Sequence, residues 1–472
     1  MKKLSDLFET NNNKMIKNIK TSSFNLEEGD LFVCIKGVKK DRHKYIKEAI
    51  RKKPSGIVVS KSKYIKKLTK KGIPVFKVED TNKELINICK KFYDNPEDNI
   101  NIIAITGTDG KTTTAKVLSQ ILSAGYIGTV GAEYKDYYEE IDNTTPSLEQ
   151  RYKILKRFVD MGCRTVVMEV SSEAIYRGRM EGATYNTSIL TNITEDHLNT
   201  HKTIENYINC KGQVFKNTKG ITILNRDDKH YKDIKKYCKK SNIKTYGYNK
   251  NSTLRIIKDS QSIEKNIFEI EYKDKRYKLE SNLIGKYNVY NLSAVILYLL
   301  ENGYKISDIK KNIKHIPKVP GRFEVFKTKK DSYCILDYAH TTNGLKSVLT
   351  LLNDIKKNKI ITVTGSAGGR EKQKRKEMGK VVLSLSDKVI FTMDDPRYEN
   401  PKSIAKQMIN KEKTNNYEII IDRKKAIKKA IEESMTNDYI LIAGKGRDHY
   451  MYIKNKKVPY NDYDEIKKWT KN

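Results

Sequence analysis

The stretch ITGTDGKTTTAK, residues 105–116, decides how the rest of the chain is read. It closes a short continuous apolar run, INIIAITG (100–107), of the kind that forms a buried parallel strand. Glycines and a Lys-Thr pair break the run, and residues 112–122 then take helical spacing. A strand, a glycine loop with G-K-T and a helix start are the context of a phosphate-binding loop. There, backbone N–H groups at a helix N-terminus hold phosphate oxygens. Lys111 adds a point charge toward the β/γ end, and the Thr112 hydroxyl is placed for Mg2+. The loop is shortened: G-x-x-x-x-G-K-[ST] asks for glycine where Ile105 stands, and the glycine falls at Gly107 instead. An ordinary strand-to-helix turn is the alternative.

On either side of the loop the pattern repeats. Buried-strand candidates recur at 164–172, 187–193 and 220–225, with helical spacing between them. This is an α/β chain with a mostly parallel sheet. Residues 250–283 alternate polar and apolar, which suggests an antiparallel flap. Nearer the N-terminus, 29–37 and 56–60 read as strands around a helix at 43–53. YDNPEDN (93–99) and HIPKVPGRFEVF (315–326) interrupt the periodicity with proline and polar residues. They divide the chain into three expected domains, 1–98, 99–317 and 318–472. In the last, runs at 333–340, 359–365, 388–394, 417–422 and 439–446 describe a doubly wound sheet with chemistry at its strand ends.

The 472 residues suffice for about two to four domains. Lys and Arg number 93 against 58 Asp and Glu, a net charge of +35. A nucleic-acid or anionic-membrane partner is one reading of that charge. The other is lysine drift, because Lys is spread along the whole chain together with many Ile, Asn and Tyr. Runs such as KKYCKK (235–240) and KKNIKH (310–315) then read as solvated helix faces. Either way, a positive field helps draw in anionic substrates such as nucleotides. Six cysteines without a CxxC or a Cys/His cluster suit reduced thiols in the cytosol. No run of about 18 apolar residues occurs, and the N-terminus lacks an apolar leader core. A cytoplasmic protein with neither membrane nor nucleic-acid partner is expected.

Further candidate chemistry lies beyond the loop. Glu169, in MEVSSEAIYRGRM (168–180), stands at a buried strand end, where a second Mg2+ ligand belongs in a phosphate-loop enzyme. A carboxylate capping the next helix is the plain alternative. Arg177 and Arg179 suit a phosphate or carboxylate, or are a solvated pair. His197 and His201, at i and i+4, could hold zinc on a helix. No third ligand is evident, and the loop points to magnesium.

These segments, with LIGKYNVYNLSAV (283–295), PGRFEV (320–325), DYAHT (337–341), DDPR (394–397) and AGKG (443–446), follow one another in the order and at spacings compatible with a known set. On them the chain resembles the Mur ligase family over essentially its whole length. The resemblance implies a UDP-sugar domain, a central ATPase domain and a C-terminal domain that closes over the site. It implies an ATP-dependent amide ligase of peptidoglycan precursor synthesis, most similar to the branch that adds the third peptide residue. ATP would phosphorylate the free carboxylate of UDP-N-acetylmuramoyl-L-alanyl-D-glutamate to an acyl phosphate, which a diamino acid's amine then attacks. A monomer with small-molecule substrates is expected.

The same resemblance assigns residues. Gly107, Thr108, Asp109, Gly110, Lys111, Thr112 and Thr113 would cradle ATP, with Asn291 and Arg322 facing the nucleotide and Asp337 near the ribose. Thr112, Glu169, His197 and Lys211 would form the Mg2+ set, with Lys211 carbamylated. CO2 would turn that cation into an anion beside a metal that takes oxygen ligands. Ser23, Asn143, Thr144, Thr145, Ser171, Arg177 and Arg179 fall on the UDP-muramoyl side. Arg370, Asp394, Asp395, Pro396, Arg397, Gly444 and Asp448 fall on the pocket for the incoming amino acid.

The chain departs from the family pattern at several of these places. Ser22-Ser23-Phe24 replaces D-S-R near the uridine, Glu173 replaces a common His, Arg177 a common Gln, and Asp109 a common Asn. D-D-P-R stands for D-N-P-R, and G-K-G-R-D for G-K-G-H-E. Arg397 presents a planar fork suited to the distal carboxylate of meso-diaminopimelate, which lysine lacks. Asp395 and Asp448 suit ammonium groups, which both amino acids offer. Arg397 is given the greater weight. L-lysine or another atypical acceptor, a related carboxylate–amine ligase, and a nucleic-acid-binding ATPase are the alternatives.

Overall fold

In the computed structural model, which describes residues 1–38, 40–196, 198–369, 372–410, 414–454 and 456–471, short apolar strands carry the architecture. The chain groups into two units. One comprises Met1–Thr106, Leu122–Ser188 and Cys210–Ile221; the other comprises Gly107–Ile121, Ile189–Asn209 and Thr222–Asn472.

The first unit contains a sheet of four parallel strands in the order Ile19–Lys20, Leu31–Val33, Gly56–Val59 and Val75–Lys77. Successive side chains point to opposite faces of a strand. Leu31, Val33 and Val58 accordingly pack with Leu85 and Ile88 of the helix Thr81–Phe92. Phe32, Ile57 and Val59 pack with Ile46 and Ala49 on the other face. Burial on both faces is why these strands read as unbroken apolar runs. A second sheet in this unit runs Tyr137–Glu139, Gly131–Tyr134, Gly125–Gly128, Thr165–Glu169, Asn101–Thr106. Its first two junctions are antiparallel and the next two parallel. Glu169 pairs in register with Ile105, so Glu169 and Thr106 reach the same carboxyl edge.

In the second unit, Ile243–Gly247 and Leu254–Gln261 are parallel neighbours, and Asn266–Tyr272 and Lys275–Ser281 follow antiparallel. This is the flap that the alternation of 250–283 led us to expect; burial alternates residue by residue along Asn266–Tyr272. The C-terminal sheet has the order Glu324–Lys327, Tyr333–Asp337, Tyr439–Ala443, Ile360–Thr364, Lys388–Phe391, Tyr417–Ile419, and only the first strand is antiparallel. Ile335, Leu441 and Val389 pack with Leu345, Leu349 and Met378 from the helices Thr342–Ile355 and Lys372–Leu385. Leu336, Ile442 and Ile390 pack on the other face with Ala426, Ile427 and Ala430 of Arg423–Glu433. The strand Tyr439–Ala443, the last in sequence, lies between two earlier ones. The order therefore reverses around it, and ligands bind outside the carboxyl ends at such a point. Asp337 pairs with Ala443 there, placing Gly444 and Lys445 just beyond that edge.

Candidate active site

The phosphate loop belongs to the second unit. Gly107 has φ +152°, and a Cβ on it would stand 1.9 Å from Thr191 Oγ1. Gly110 has φ +81°, and a Cβ there would stand 2.4 Å from Asn291 Oδ1. Backbone conformation and space both demand glycine at these two positions. Thr108 N donates to Asn192 O at 2.8 Å, and Asp109 N donates to Asn192 Oδ1 at 3.0 Å. Thr191 Oγ1 donates to Asp109 O at 2.6 Å. The loop is thus fastened to the segment 191–192, and the helix Lys111–Leu122 starts directly from it. Lys111 Nζ folds onto the loop, donating to Gly107 O at 2.9 Å and Thr108 O at 2.7 Å.

Arg322 Nη2 donates to Thr112 Oγ1 at 3.2 Å, and its guanidinium lies 4.5 Å from the centre of the Tyr338 ring. Asp337 accepts from Phe323 N at 2.8 Å and Ala339 N at 2.7 Å. Burial pushes its carboxyl above the usual range, with Arg322 opposing. Of the residues named from the sequence for the nucleotide, Asn291 and Arg322 thus lie beside the loop, and Asp337 is bound to the backbone next to Arg322. The carboxylate of Asp109 faces Thr341 Oγ1 and Asn343 Nδ2, each at 3.4 Å.

In the first unit the carboxylate of Glu169 is fully buried. Its Oε1 accepts from Tyr126 Oη at 2.5 Å and Thr129 N at 2.9 Å, and its Oε2 accepts from Thr129 Oγ1 at 3.2 Å. A Cβ on Gly128 would stand 2.2 Å from Oε1, so the glycine makes room for the carboxylate. Several residues named from the sequence for the UDP-muramoyl side attach to the same strand end. Thr145 Oγ1 donates to Glu169 O at 2.8 Å and accepts from Ser171 N at 3.0 Å. Arg179 Nη1 donates to Thr145 O at 3.0 Å and its Nη2 to Asn143 Oδ1 at 3.5 Å, while Thr144 Oγ1 accepts from Thr129 at 3.2 Å. Burial lowers the Arg179 pKa from its usual value. Arg177 instead forms an i,i+4 pair with Glu173, at 2.9 and 2.7 Å. The two residues that depart from the family pattern thus pair with each other. Ser23 Oγ donates to Glu48 Oε2 at 3.0 Å.

Lys211, on the helix Ile204–Lys216, is 1% exposed, with Nζ 3.5 Å from Thr106 Oγ1. A hard divalent cation takes oxygen ligands. Glu169 fits Mg2+ directly; Lys211 fits it only as a carbamate, because an ammonium repels it. His201 packs on Tyr207 with ring centres 5.2 Å apart. His197 and Arg370 lie outside the described residues.

Asp394, Asp395, Gly444 and Asp448, named from the sequence for the incoming amino acid, lie at the carboxyl edge of the C-terminal sheet. Lys445 is 1% exposed, and its Nζ lies 2.9 Å from Asp395 Oδ1, 3.4 Å from Asp448 Oδ2 and 3.9 Å from Asp394 Oδ1. Asp395 Oδ1 also accepts from Tyr452 N at 3.0 Å. Burial, with repulsion from Asp394 and Asp395, pushes the Asp448 carboxyl up to about 6, against the pull of Lys445. Gly444 has φ +118°, and a Cβ on it would stand 2.7 Å from Asp394 Oδ2. The Arg397 guanidinium makes no hydrogen bond or ion pair with another described residue. Lys445 was missed from the sequence although its neighbours Gly444 and Asp448 were named. The available signal was its place at the end of a fully buried strand, which separates it from the surface lysines.

Two family descriptions match the chain: Mur ligase middle domain over residues 105–299, and Mur ligase, glutamate ligase domain, over 321–446. The UDP-N-acetylmuramoyl-L-alanyl-D-glutamate–2,6-diaminopimelate ligase of Clostridium botulinum is 37% identical, with 100% of this chain and 98% of that protein covered. The chain belongs to the Mur ligase family. As a Mur ligase it is an ATP-dependent enzyme that forms a C–N bond. The Aquifex aeolicus protein of the same name is 36% identical, covering 96% of this chain and 93% of its own. A solved diaminopimelate ligase shares the Mur ligase fold at a TM-score of 0.63 and 24% identity, covering 96% of this chain and 94% of its own. The MurF ligase of Thermotoga maritima in complex with ADP shares it at 0.66 and 20%, covering 90% and 93%. No helix among the described residues of this Mur ligase is long and apolar enough to cross a membrane.

Proposed function

We propose that this Mur ligase joins meso-diaminopimelate to UDP-N-acetylmuramoyl-L-alanyl-D-glutamate, as a cytoplasmic monomer of peptidoglycan precursor synthesis with domains 1–98, 99–317 and 318–472. The substrate's free carboxylate attacks the γ-phosphorus of ATP, giving an acyl phosphate and ADP. The amine of diaminopimelate then attacks the acyl carbon, and phosphate leaves with the C–O bond as the amide forms and a proton is released. Lys111 holds the transferred phosphoryl group, and Asn291, Arg322 and Asp337 hold the nucleotide. Thr112, Glu169, His197 and a carbamylated Lys211 are the proposed Mg2+ ligands. When bound, the ion offsets the charge that develops on the phosphoryl oxygens. Ser23, Asn143, Thr144, Thr145, Ser171, Arg177 and Arg179 hold the UDP-muramoyl substrate.

Names of relatives across the whole chain support the reaction class. The observation that carries the choice of amino acid is the guanidinium of Arg397, which makes no hydrogen bond or ion pair with another described residue. Asp395, which would repel a distal carboxylate, already faces Lys445 Nζ at 2.9 Å and the Tyr452 N–H. Arg397→Ala is therefore expected to lower kcat/KM for diaminopimelate by about ten- to a hundredfold, the worth of a bidentate charged contact. Activity with L-lysine should change by less than about threefold on the same grounds. Phosphate release with each amino acid measures both. An equal fall with the two substrates, or a wild type that prefers lysine, overturns the assignment. Lysine is the second reading, because the three carboxylates of Asp394, Asp395 and Asp448 around Lys445 also suit an ammonium group.

The same cluster sets a pH dependence. Asp448, with its carboxyl raised to about 6, is ionised above that pH and protonated below it. Its attraction for a substrate ammonium is therefore present above pH 6 and lost as pH falls. KM for the amino acid should rise as pH drops through about 6, and Asp448→Asn should flatten that inflection. A profile unchanged by the substitution would remove Asp448 from the pocket.

A further inference from the structure

The strands Ile360–Thr364 and Lys388–Phe391 are parallel neighbours, so the loops leaving their carboxyl ends run side by side. One loop is GSAGG (365–369) and the other DDPRYEN (394–400). They are fastened together at several points. Gly368 N donates to Asp395 O at 2.8 Å, and a Cβ on Gly368 would stand 2.0 Å from Pro396 O. Gly369 N donates to Glu399 Oε1 at 2.5 Å. Arg375, on the helix Lys372–Leu385, is 0% exposed and grips both loops. Its Nη1 donates to Glu399 Oε2 at 2.7 Å and its Nη2 to Glu399 Oε1 at 2.8 Å, a bidentate fork. Nη2 also donates to Ala367 O at 3.1 Å, and Nη1 to Gln407 Oε1 at 2.7 Å.

Arg397 sits inside this frame. Its φ is +52°, a left-handed conformation uncommon for a residue other than glycine. Such a conformation persists only where the surroundings over-determine it. Glu399 N turns back to Pro396 O at 2.9 Å on one side of Arg397. On the other, Arg397 N donates to Tyr452 O at 2.9 Å and Arg397 O accepts from Lys454 N at 2.6 Å.

We propose that the Arg375–Glu399 ion pair is a positioning device for the incoming amino acid, holding Arg397 in its left-handed conformation and so aiming its guanidinium at the substrate's distal carboxylate. This rests on the amino-acid role proposed for Arg397. Both carboxylate oxygens of Glu399 are engaged by Arg375 and Gly369, and Arg375 is wholly buried. The pair therefore acts through Arg397 rather than on the substrate. Loosening such a bidentate charged contact weakens binding of the amino acid by about tenfold or more.

Two substitutions probe the pair. Glu399→Gln keeps the size and the acceptor but removes the charge. Arg375→Lys keeps the charge but loses the planar fork. Steady-state phosphate release is measured with each of the three substrates varied in turn. In both variants KM for diaminopimelate is expected to rise about tenfold or more, with kcat within about threefold and KM for ATP and the UDP-dipeptide within about twofold. Loss of properly folded enzyme would instead lower kcat and leave all three KM values in place, which would overturn the proposal. Arg397→Ala and the double variant Arg397→Ala/Glu399→Gln complete a cycle. If Glu399 acts through Arg397, Glu399→Gln adds no further rise in KM to the Arg397→Ala enzyme. If Arg397→Ala raises KM while Glu399→Gln does not, or if the two rises multiply, positioning by the pair is refuted and the role of Arg397 stands. If Arg397→Ala itself leaves KM unchanged, the role of Arg397 fails, and the device with it.

Discussion

Lys111→Ala is expected to lower turnover by on the order of 10^2- to 10^3-fold, the loss typical when one preorganised donor to a developing charge is removed. The fold should survive. Lys111 is the first residue of its helix, where alanine is a good helix former, and its ammonium bonds two carbonyls of its own loop. The glycine conformations and the Thr191–Asn192 fastenings that shape the loop do not pass through its side chain. Circular dichroism should therefore be unchanged while phosphate release is lost. Near-normal activity in a variant with a normal spectrum would mean that the loop does not hold the transferred phosphoryl group.

Lys211→Ala is expected to be impaired at least as severely, for a different reason. The carbamate proposed for Lys211 would supply the anionic oxygens that a magnesium site takes. Alanine removes them, and the space left can admit a small carboxylic acid. Added acetate or formate should restore part of the activity of Lys211→Ala and none of that of Lys111→Ala. The two variants thus control for each other. In the wild type, 13C-labelled CO2 should give a carbamate resonance that Lys211→Ala lacks. No rescue together with no such resonance would leave Lys211 a structural lysine.

Much of this was legible in the chain. The parallel strands announced themselves because both of their faces are buried: Ile335 and Leu336 point into opposite clusters, and both must be apolar. The phosphate loop was legible because Gly107 and Gly110 are backbone requirements that no other residue meets. The flap was legible because one face of Asn266–Tyr272 is buried and the other is not. What stayed hidden depends on contacts distant in sequence. The support of Glu169 by Tyr126 spans 43 residues, and Lys445 reaches Asp395 across 50. Nothing in the composition of a chain with 93 Lys and Arg separates a caged lysine from a solvated one. The sequence set Asp395 against Arg397 and gave Arg397 the greater weight, but the contact of Asp395 with Lys445 Nζ was not visible in it. The spacing of Glu173 and Arg177 was visible, but their pairing became clear only with the helix Ser172–Tyr176 in place.

The measurement that bears most directly on the function is product analysis under competition. The purified chain is incubated with UDP-N-acetylmuramoyl-L-alanyl-D-glutamate, ATP, Mg2+ and equal amounts of meso-diaminopimelate and L-lysine, and the nucleotide product is weighed by mass spectrometry. The expected product is the UDP-tripeptide carrying diaminopimelate, formed with one ADP and one phosphate for each amide bond. A product carrying lysine, or no extension of the dipeptide while ATP remains intact, would contradict it.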